Sequence, residues 1–356
     1  MEKLIKSAVV SVASTSLSDE EKRLLNKFNP LGVTLFQRNI ENKEQIKNII
    51  KEIKEAIERD DVLIAIDQEG GRVARLKPPY FRNYLSQRSI GSLENFSKKK
   101  REAYLHALLI ADELSELGIN VNYAPCVDVL YDTTARVLKT RCLSNDEHEV
   151  SILAEQMLNA YKSMGIIPCL KHAPGHGRAV LDPHLELPII EADKNLLQKD
   201  FYPFKYLAEL TPMMMTAHIV LKSIDDKPIT QSKKAIDEII RSEIGFNGFL
   251  ISDAIDMKAL KGSLGEKTQT SLKAGCDAVC YCMGQVDELN EVLQSACFLE
   301  EDSFLRYEHL KRYLSYKSEN RSLKKEADEY NLIAQKALVF KEDYDAVETL
   351  NQLLKK

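Results

Sequence analysis

The 356-residue sequence lacks any long hydrophobic segment. No run approaches the roughly 18–20 consecutive apolar residues that a membrane-spanning helix needs. Only the N-terminal 1-MEKLIKSAVVSVASTS-16 resembles a secretory signal, because lysines precede a short apolar run. Ser7, Ser11 and Ser14 interrupt that run, so we interpret it as a buried strand and expect no membrane partner.

The sequence also lacks an excess of positive charge. Its 49 lysine and arginine residues are spread among 54 acidic residues, and the formal net charge is −5. A protein that neutralises a phosphate backbone carries a basic patch or stripe. Nucleic acid is therefore not an expected partner.

Paired cysteines are lacking too, since the seven cysteines are an odd number scattered along the chain. A chain of this length can bury a core without disulfide crosslinks, so a reducing, cytoplasmic setting fits best. Cys280 and Cys282 are two residues apart. We expect them to alternate faces of a strand, an arrangement that suits neither a disulfide nor a zinc site.

The sequence does contain a regular alternation of two kinds of segment. Eight stretches of strand length are nearly continuous in apolar residues, which is typical of parallel strands buried on both faces. They are 7-SAVVSVA-13, 31-LGVTLFQ-37, 62-VLIAID-67, 119-INVNYAPCVDV-129, 166-IIPCLK-171, 212-PMMMTAHIV-220, 248-GFLISD-253 and 277-DAVCYCM-283. The helix-like stretches between and after them cover 18–28, 43–59, 98–117, 146–164, 196–209, 233–243, 264–275 and 285–296.

This order of elements predicts an α/β fold, a (β/α)₈ barrel. An open doubly wound sheet is the alternative, but the GxGxxG turn expected after its first strand is absent. Residues 1–300 would form the catalytic barrel. Two or three charged helical stretches over 301–356 would form an extension packed on the barrel, without a core of its own.

Polar residues stand at the ends of five consecutive predicted strands. In a barrel of this kind the functional groups lie at the C-terminal ends of the strands. One such residue is easily structural, but five at the same rim indicate a polar pocket. They are Asp67, Asp128, Lys171 with His172, His218 and Asp253.

Two glycines and two arginines follow the third strand. Gly70 and Gly71 predict either a tight turn or a close approach of the backbone to a ligand. Arg72 and Arg75 would share a face if a helical turn begins there, with one in the pocket and the other in a surface ion pair. Asp256, three residues after the seventh strand, is expected at a helix N-terminus, or else to contribute chemistry.

The loop after the fifth strand runs to about residue 188 and is long for its type, and long loops are often functional. Gly175 and Gly177 are expected to act as hinges. Asp182 and His184 are spaced so that the carboxylate could orient the imidazole for proton transfer. A carboxylate elsewhere would then be the nucleophile, and Asp253 is the best placed.

The histidines of this loop allow a metal site as an alternative. It would combine His172, His176, His184 and Asp253. A proline and a glycine between the first two argue against a helical metal clamp, and no HExxH motif occurs. Serine hydrolysis is disfavoured because no GxSxG elbow is present.

Six short segments occur together in one order: 66-IDQEGGRVARL-76, 139-KTRCL-143, 171-KHAPGHG-177, 182-DPH-184, 216-TAHI-219 and 252-SDAIDMKA-259. Together they resemble glycoside hydrolase family 3, and within it the bacterial single-barrel β-N-acetylhexosaminidases. The resemblance covers about residues 5–300. KHxPGHG followed by Asp-x-His is its most specific part.

The resemblance implies retaining hydrolysis, with Asp253 as the nucleophile and His184 as the acid/base held by Asp182. It implies release of N-acetylglucosamine from cell-wall muropeptide fragments in the cytoplasm, by a protein that needs no metal or other cofactor and that we expect to be a monomer. The implied sugar-binding residues are Asp67, Arg75, Arg141, Lys171 and His172.

Three other functions stay open at this point. A β-glucosidase or xylosidase would use the same barrel, although the chain has no room for the second, sandwich domain of many family 3 β-glucosidases. A metal-dependent hydrolase would use the histidine cluster. A sugar-binding protein without catalysis is the third, and the complete set of reactive residues argues against it.

The chain departs from the family pattern in the loop after the fifth strand. Arg178 and Ala179 stand where an acidic residue and threonine are expected. Pro183 stands where serine is expected, between the two residues of the dyad. Proline fixes φ and removes a hydrogen-bond donor, so this loop is where the chain is expected to differ from its family.

Overall fold

Eight parallel strands close into a barrel in the order in which they occur along the chain, with the last paired to the first. The computed structural model describes residues 4–314 and 322–340. The strands are β1 (Lys6–Val10), β2 (Pro30–Leu35), β3 (Leu63–Ile66), β4 (Val121–Asn122), β5 (Ile167–Ala173), β6 (Met213–Thr216), β7 (Phe249–Ala254) and β8 (Ala278–Cys280). All eight overlap predicted strands and four extend one or two residues beyond them, and the N-terminal segment contains β1 as expected.

One long helix follows each strand, so the predicted (β/α)₈ barrel is confirmed. The helices are α1 (Asp19–Phe28), α2 (Lys43–Ile57), α3 (Phe96–Leu117), α4 (Glu147–Ser163), α5 (Lys194–Leu207), α6 (Lys233–Ala235, continued by the π-helical Ile236–Glu243), α7 (Leu264–Ala274) and α8 (Val286–Ser295). Shorter elements are Gln37–Asn39, Gln87–Gly91, Arg136–Lys139, Ile229–Gln231 and the strand pair Ile189–Ile190 with Val220–Leu221.

The apolar side chains form two layers, which explains why the strands are apolar on both faces. One layer fills the barrel interior and includes Leu63, Ile167 and Phe249. The other lies between the strands and the helices. Since both faces of each strand are buried, polar groups are left for the strand ends.

Two further helices follow the barrel: α9 (Glu301–Leu314) and α10 (Lys324–Ala334). Tyr307 and Leu310 of α9 belong to the interior layer, and the Tyr307 hydroxyl donates to Asp61 O at 2.8 Å, just before β3. The helix α9 therefore closes the N-terminal end of the barrel. The predicted division into a barrel over residues 1–300 and an extension over 301–356 stays a prediction. Residues 315–321 and 341–356 of that extension lie outside the described residues.

The helix α10 packs on α3, close to the loop that follows β3. Tyr330 of α10 is buried, its hydroxyl accepts from Leu85 N at 2.9 Å, and its ring lies edge-on to Tyr84 with centroids 6.0 Å apart. His106 of α3 contacts the same tyrosines and bonds Glu69 O at 2.8 Å.

Among the described residues, no helix is long and apolar enough to cross a bilayer.

Glu102 of α3 is a buried carboxyl group at this helix interface. Neither of its oxygens has a hydrogen-bond partner among the described residues. Burial, followed by the nearby Glu329 of α10, raises the pKa of Glu102 from 4.5 to about 8. A pKa raised in the folded state means that stability is greatest below the unfolded value and is lost as the pH rises through the folded one.

We therefore expect Glu102→Gln, which mimics the protonated group, to flatten the pH dependence of stability between about pH 5 and pH 9. At the alkaline end the variant should melt several degrees above the unaltered protein. Thermal unfolding across that range measures both effects. Glu329→Gln is the control, since Glu329 is exposed and paired with Arg101; it should keep most of the slope, and parallel curves for Glu102→Gln would contradict the expectation.

Candidate active site

A pocket opens at the C-terminal ends of the strands, and the predicted site residues surround it. Asp182 supports His184 from behind, and its own side chain does not line the pocket. Four strands, β5 to β8, and the segments after β2, β3, β4, β5, β7 and β8 supply the lining. The predicted residues that line it are Asp67, Arg75, Arg141, Lys171, His172, His184 and Asp253.

A cluster of five charged side chains forms the floor of the pocket. Lys171 Nζ lies 2.8 Å from Asp67 Oδ1 and 2.6 Å from Glu69 Oε1, and its side chain is 2% exposed. Arg75 Nη2 is 3.1 Å from Asp67 Oδ2. Arg141 grips Glu69 with two nitrogens, at 2.8 Å from Nη2 to Oε1 and 3.0 Å from Nε to Oε2. Three cations thus neutralise two buried carboxylates.

The pairing keeps all of these groups charged. Burial raises the pKa of Asp67, but Lys171 and then Arg75 outweigh it and hold that pKa well below its usual range. Burial likewise opposes Arg141 and Lys171 at Glu69, whose pKa falls to about 2. Burial lowers the pKa of Lys171, yet the two carboxylates hold it above its usual value. Asp67 can accept hydrogen bonds from sugar hydroxyls, and the cations can donate to them.

His172 is held between an acid and a base. Its Nδ1 lies 2.7 Å from Asp128 Oδ2, and its Nε2 lies 3.2 Å from Arg141 Nη2. Both contacts are satisfied when Nδ1 donates to Asp128 and Nε2 accepts from Arg141. Asp128 is fully buried and also accepts from His176 N at 2.7 Å. Burial raises its pKa, but the neighbouring histidines hold it well below the usual range.

Two of the five predicted rim positions therefore lie behind the pocket. Asp128 supports His172 from below. His218 is buried, with Nδ1 2.8 Å from Thr230 Oγ1 and Nε2 2.9 Å from Ala254 O. Neither side chain lines the pocket, and each bonds to other parts of the protein. The prediction that both face the pocket is therefore wrong.

Asp253 differs from Asp67, Glu69 and Asp128 because neither a cation nor an imidazole pairs with it within the described part of the chain. Its Oδ1 accepts from Ala254 N at 2.7 Å, and the residue is 9% exposed. Burial raises its pKa, but His172, His218 and the Ala254 amide outweigh burial and lower it. Asp253 is therefore ionised at neutral pH.

Asp256 is a third carboxyl group in the pocket lining, besides Asp67 and Asp253. It accepts from Cys282 N at 2.8 Å, and burial raises its pKa to about 6. It lies in a turn, so the prediction of a helix N-terminus is wrong. Because its pKa is higher, Asp256 is protonated to a larger extent than Asp253 below neutral pH.

The loop after β5 carries the predicted dyad to the pocket. His184 Nδ1 lies 2.7 Å from Asp182 Oδ1, and His184 N donates to the same oxygen at 2.9 Å. Pro183 offers no donor, but its carbonyl accepts from Ala259 N at 3.2 Å. That bond ties the loop to the turn after β7, on which Asp256 lies. The departure at Pro183 thus leaves the Asp-x-His geometry intact.

Arg178 anchors the base of the same loop. Its Nε is 2.5 Å from Asp200 Oδ2 of α5, and its Nη2 donates to Leu196 O at 2.8 Å. Gly177 packs so tightly that an added Cβ would lie 1.8 Å from Val129 O. The loop is therefore held at its base, and close packing is a sufficient reason for glycine there.

His176 lies in the pocket lining without bonds to its ring. Neither ring nitrogen has a hydrogen-bond partner among the described residues. Burial and the adjacent His172 lower its pKa to about 4.

The four residues of the predicted metal site, His172, His176, His184 and Asp253, do not bring their ligand atoms together. Over residues 4–314 and 322–340, one group of three or more possible ligand atoms lies within 4.8 Å of one another: Cys126, Asp128 and His172.

The segment after β3 corrects the expectation for its two arginines and favours the tight turn for its two glycines. Arg72 and Arg75 both line the pocket, and no helix begins there. Gly70 has φ +96°, and a Cβ on it would lie 2.2 Å from Leu85 O. The turn therefore packs against protein. Glu69 was not predicted, although it lies two residues after Asp67 and so on the same side of an extended segment.

Cys280 and Cys282 correct a third expectation. Both side chains line the pocket. The prediction that they alternate faces is wrong, because residues two apart on an extended segment lie on the same face.

We expect Glu69→Gln to lower the free energy of unfolding by about 3–5 kcal/mol, because it leaves buried cations without their partner. Chemical denaturation measures the change. Glu116→Gln is the matched control, since it removes an exposed pair with Lys43 at 2.8 Å and should cost less than about 1 kcal/mol. Equal losses in the two variants would show that the buried cluster does not stabilise the fold.

Comparison with known proteins identifies relatives that match most of the chain. The family description Glycosyl hydrolase family 3 N terminal domain matches residues 2–305. The β-hexosaminidase of Idiomarina loihiensis is 34% identical over 279 residues, which cover 77% of this chain and 83% of that protein. The β-hexosaminidase of Bordetella avium is 30% identical over 298 residues, covering 82% and 84%.

Among solved structures, NagZ from Neisseria gonorrhoeae in complex with N-trifluoroacetyl-D-glucosamine superposes with a TM-score of 0.84. It is 28% identical and covers 94% of this chain and 99% of its own. With the family match over most of its length, the chain belongs to glycosyl hydrolase family 3.

Proposed function

We propose that the chain is a retaining β-N-acetylglucosaminidase with Asp253 as its nucleophile. The observation that carries this proposal is the state of Asp253: an ionised carboxylate in the pocket with a single backbone donor and no paired cation among the described residues. The other ionised carboxylates of the site, Asp67, Glu69 and Asp128, are each occupied by a cation or an imidazole. A nucleophile needs a charged oxygen that faces the substrate.

The proposed reaction has two steps. Asp253 attacks the anomeric carbon while the glycosidic C–O bond breaks, and His184 gives its proton to the leaving oxygen. Water then attacks the glycosyl-enzyme, His184 takes the water proton, and the Asp253 carboxylate is released. Asp182 stabilises the imidazolium form from 2.7 Å. An imidazole replaces the second carboxyl group that most retaining glycosidases use.

The charged floor would bind the non-reducing sugar. Asp67 can accept hydrogen bonds from the hydroxyl groups of the sugar. Arg75, Lys171 and Arg141, which lies next to His172, can donate hydrogen bonds to them. Because these groups are already paired with one another, they are held in place before substrate enters. Binding then costs little reorganisation.

The substrate class is inferred from the relatives. The two related proteins described above are named β-hexosaminidases, and the Neisseria structure contains an N-acylated glucosamine. This supports a terminal N-acetylglucosamine as the sugar. Cell-wall muropeptide fragments as the natural substrate, a cytoplasmic location and a monomeric state complete the proposal. Residues 1–300 would be the catalytic unit, and the following helices its support.

The test compares nitrophenyl N-acetyl-β-glucosaminide with the nitrophenyl β-glucoside and β-xyloside. The acetamido sugar should be hydrolysed fastest, and Asp253→Asn should lower its turnover by at least about a thousandfold. Asp226→Asn is the matched control, since Asp226 is an exposed carboxyl group paired with Lys222. Faster hydrolysis of the glucoside would favour a β-glucosidase, and full turnover in Asp253→Asn would exclude that residue as nucleophile.

The same assay tests His184 by varying the leaving group. A dinitrophenyl group leaves with little protonation, so His184→Ala should reduce its release less than the release of a poorer leaving group. An equal reduction for both would contradict an acid/base role for His184.

A further inference from the structure

Two thiols lie side by side in the pocket, and the proposed reaction uses neither. Cys280 ends β8 and Cys282 follows two residues later, and both line the pocket. Their Sγ atoms are 3.6 Å apart, and both are free thiols. Tyr281 between them points outward and is buried in the layer between strands and helices.

The backbone around this pair is held on both sides. Cys282 N donates to Asp256 Oδ1 at 2.8 Å, and Cys282 O accepts from Arg38 Nη2 at 2.6 Å. Cys280 N donates to Ser252 Oγ at 3.0 Å on β7. The spacing of the sulfurs is therefore set by the barrel and its loops.

The spacing suits one bridging atom. A disulfide bond is about 2.05 Å long, so the 3.6 Å pair would have to close against a backbone held at both ends. Two bonds of about 2.3 Å that meet at about 95–110°, the range from a pyramidal to a tetrahedral atom, place their sulfurs roughly 3.4–3.8 Å apart. The observed distance lies within that range.

The number of ligands decides which bridging atom fits. A zinc site takes three or four protein ligands, and among the described residues no third cysteine, histidine or carboxylate joins this pair in a group of atoms within 4.8 Å. Zinc also requires thiolates. The hydrogen bond between the two thiols, followed by burial, raises the pKa of Cys282 well above its usual value. An electrophile that takes two neutral thiols and needs no third protein ligand fits better.

We propose that Cys280 and Cys282 form a binding site for trivalent arsenicals inside the saccharide pocket. With a monosubstituted arsine oxide, two As–S bonds form and the As–O bond breaks. The two thiol protons leave with that oxygen as one water molecule, and arsenic stays trivalent. The adduct lies in the pocket shared with Asp67 and Asp253, so it excludes the sugar.

The test uses phenylarsine oxide with the full-length protein and reads the adduct by intact mass. The unaltered protein should take up one phenylarsenic group per chain at equimolar reagent, removable by a dithiol and retained in a monothiol. Cys282→Ser and Cys282→Ala should not form this stable adduct. Cys297→Ser, which removes an exposed cysteine outside the pocket, should form it fully.

Cys142→Ser separates this site from the second buried pair, Cys126 and Cys142. An adduct that survives in Cys282→Ser and disappears in Cys142→Ser would overturn the proposal. Hydrolysis of the aryl sugar should fall in proportion to the fraction of protein modified, each variant being compared with its own untreated rate. Full activity of the modified protein would overturn the placement in the pocket. The mass measurement does not depend on the proposed function, so the two can fail separately.

Discussion

Lys171 lies between Asp67 and Glu69, and the burial of this ammonium group is the constraint on which the rest of the site depends. A charge removed from water is costly unless it is paired, so two carboxylates must converge on it. Both come from one extended segment after β3, and they in turn are paired with Arg75 and Arg141. The five charged side chains on the floor of the pocket are therefore all paired with one another.

The pairing of these five charged side chains explains how several acidic groups in one pocket take different roles. Environment decides the role of each carboxyl group, as it does in other hydrolase sites. Asp67 and Glu69 are ionised and paired with cations; Asp67 lines the pocket and is suited to binding, whereas Glu69 is buried and holds Lys171 and Arg141. Asp256 holds the β8 loop and has a pKa raised to about 6. Asp253 is ionised and unpaired by any cation in the described structure, which leaves it available to react.

The barrel could be predicted because its strands are buried on both faces and leave polar residues for their ends. That rule placed Asp67, Lys171, His172 and Asp253 correctly at the pocket. It failed for His218, because the position of a residue at a strand end does not determine which way its side chain points. Glu69 and the proximity of the two thiols were not predicted, for another reason. Residues two apart on an extended segment lie on the same face, and this rule was not applied to the residues that follow β3 and β8.

The most direct measurement is the identification of the residue that carries the sugar during turnover. A 5-fluoro-N-acetylglucosaminyl fluoride forms the glycosyl-enzyme readily, because fluoride leaves easily, and the ring fluorine slows its hydrolysis. Digestion and mass spectrometry then locate the attached sugar. We expect a sugar ester on Asp253, the pocket carboxylate that has a lowered pKa and no paired cation in the described structure. An ester on Asp256 or Asp67, or turnover with inverted configuration, would contradict it.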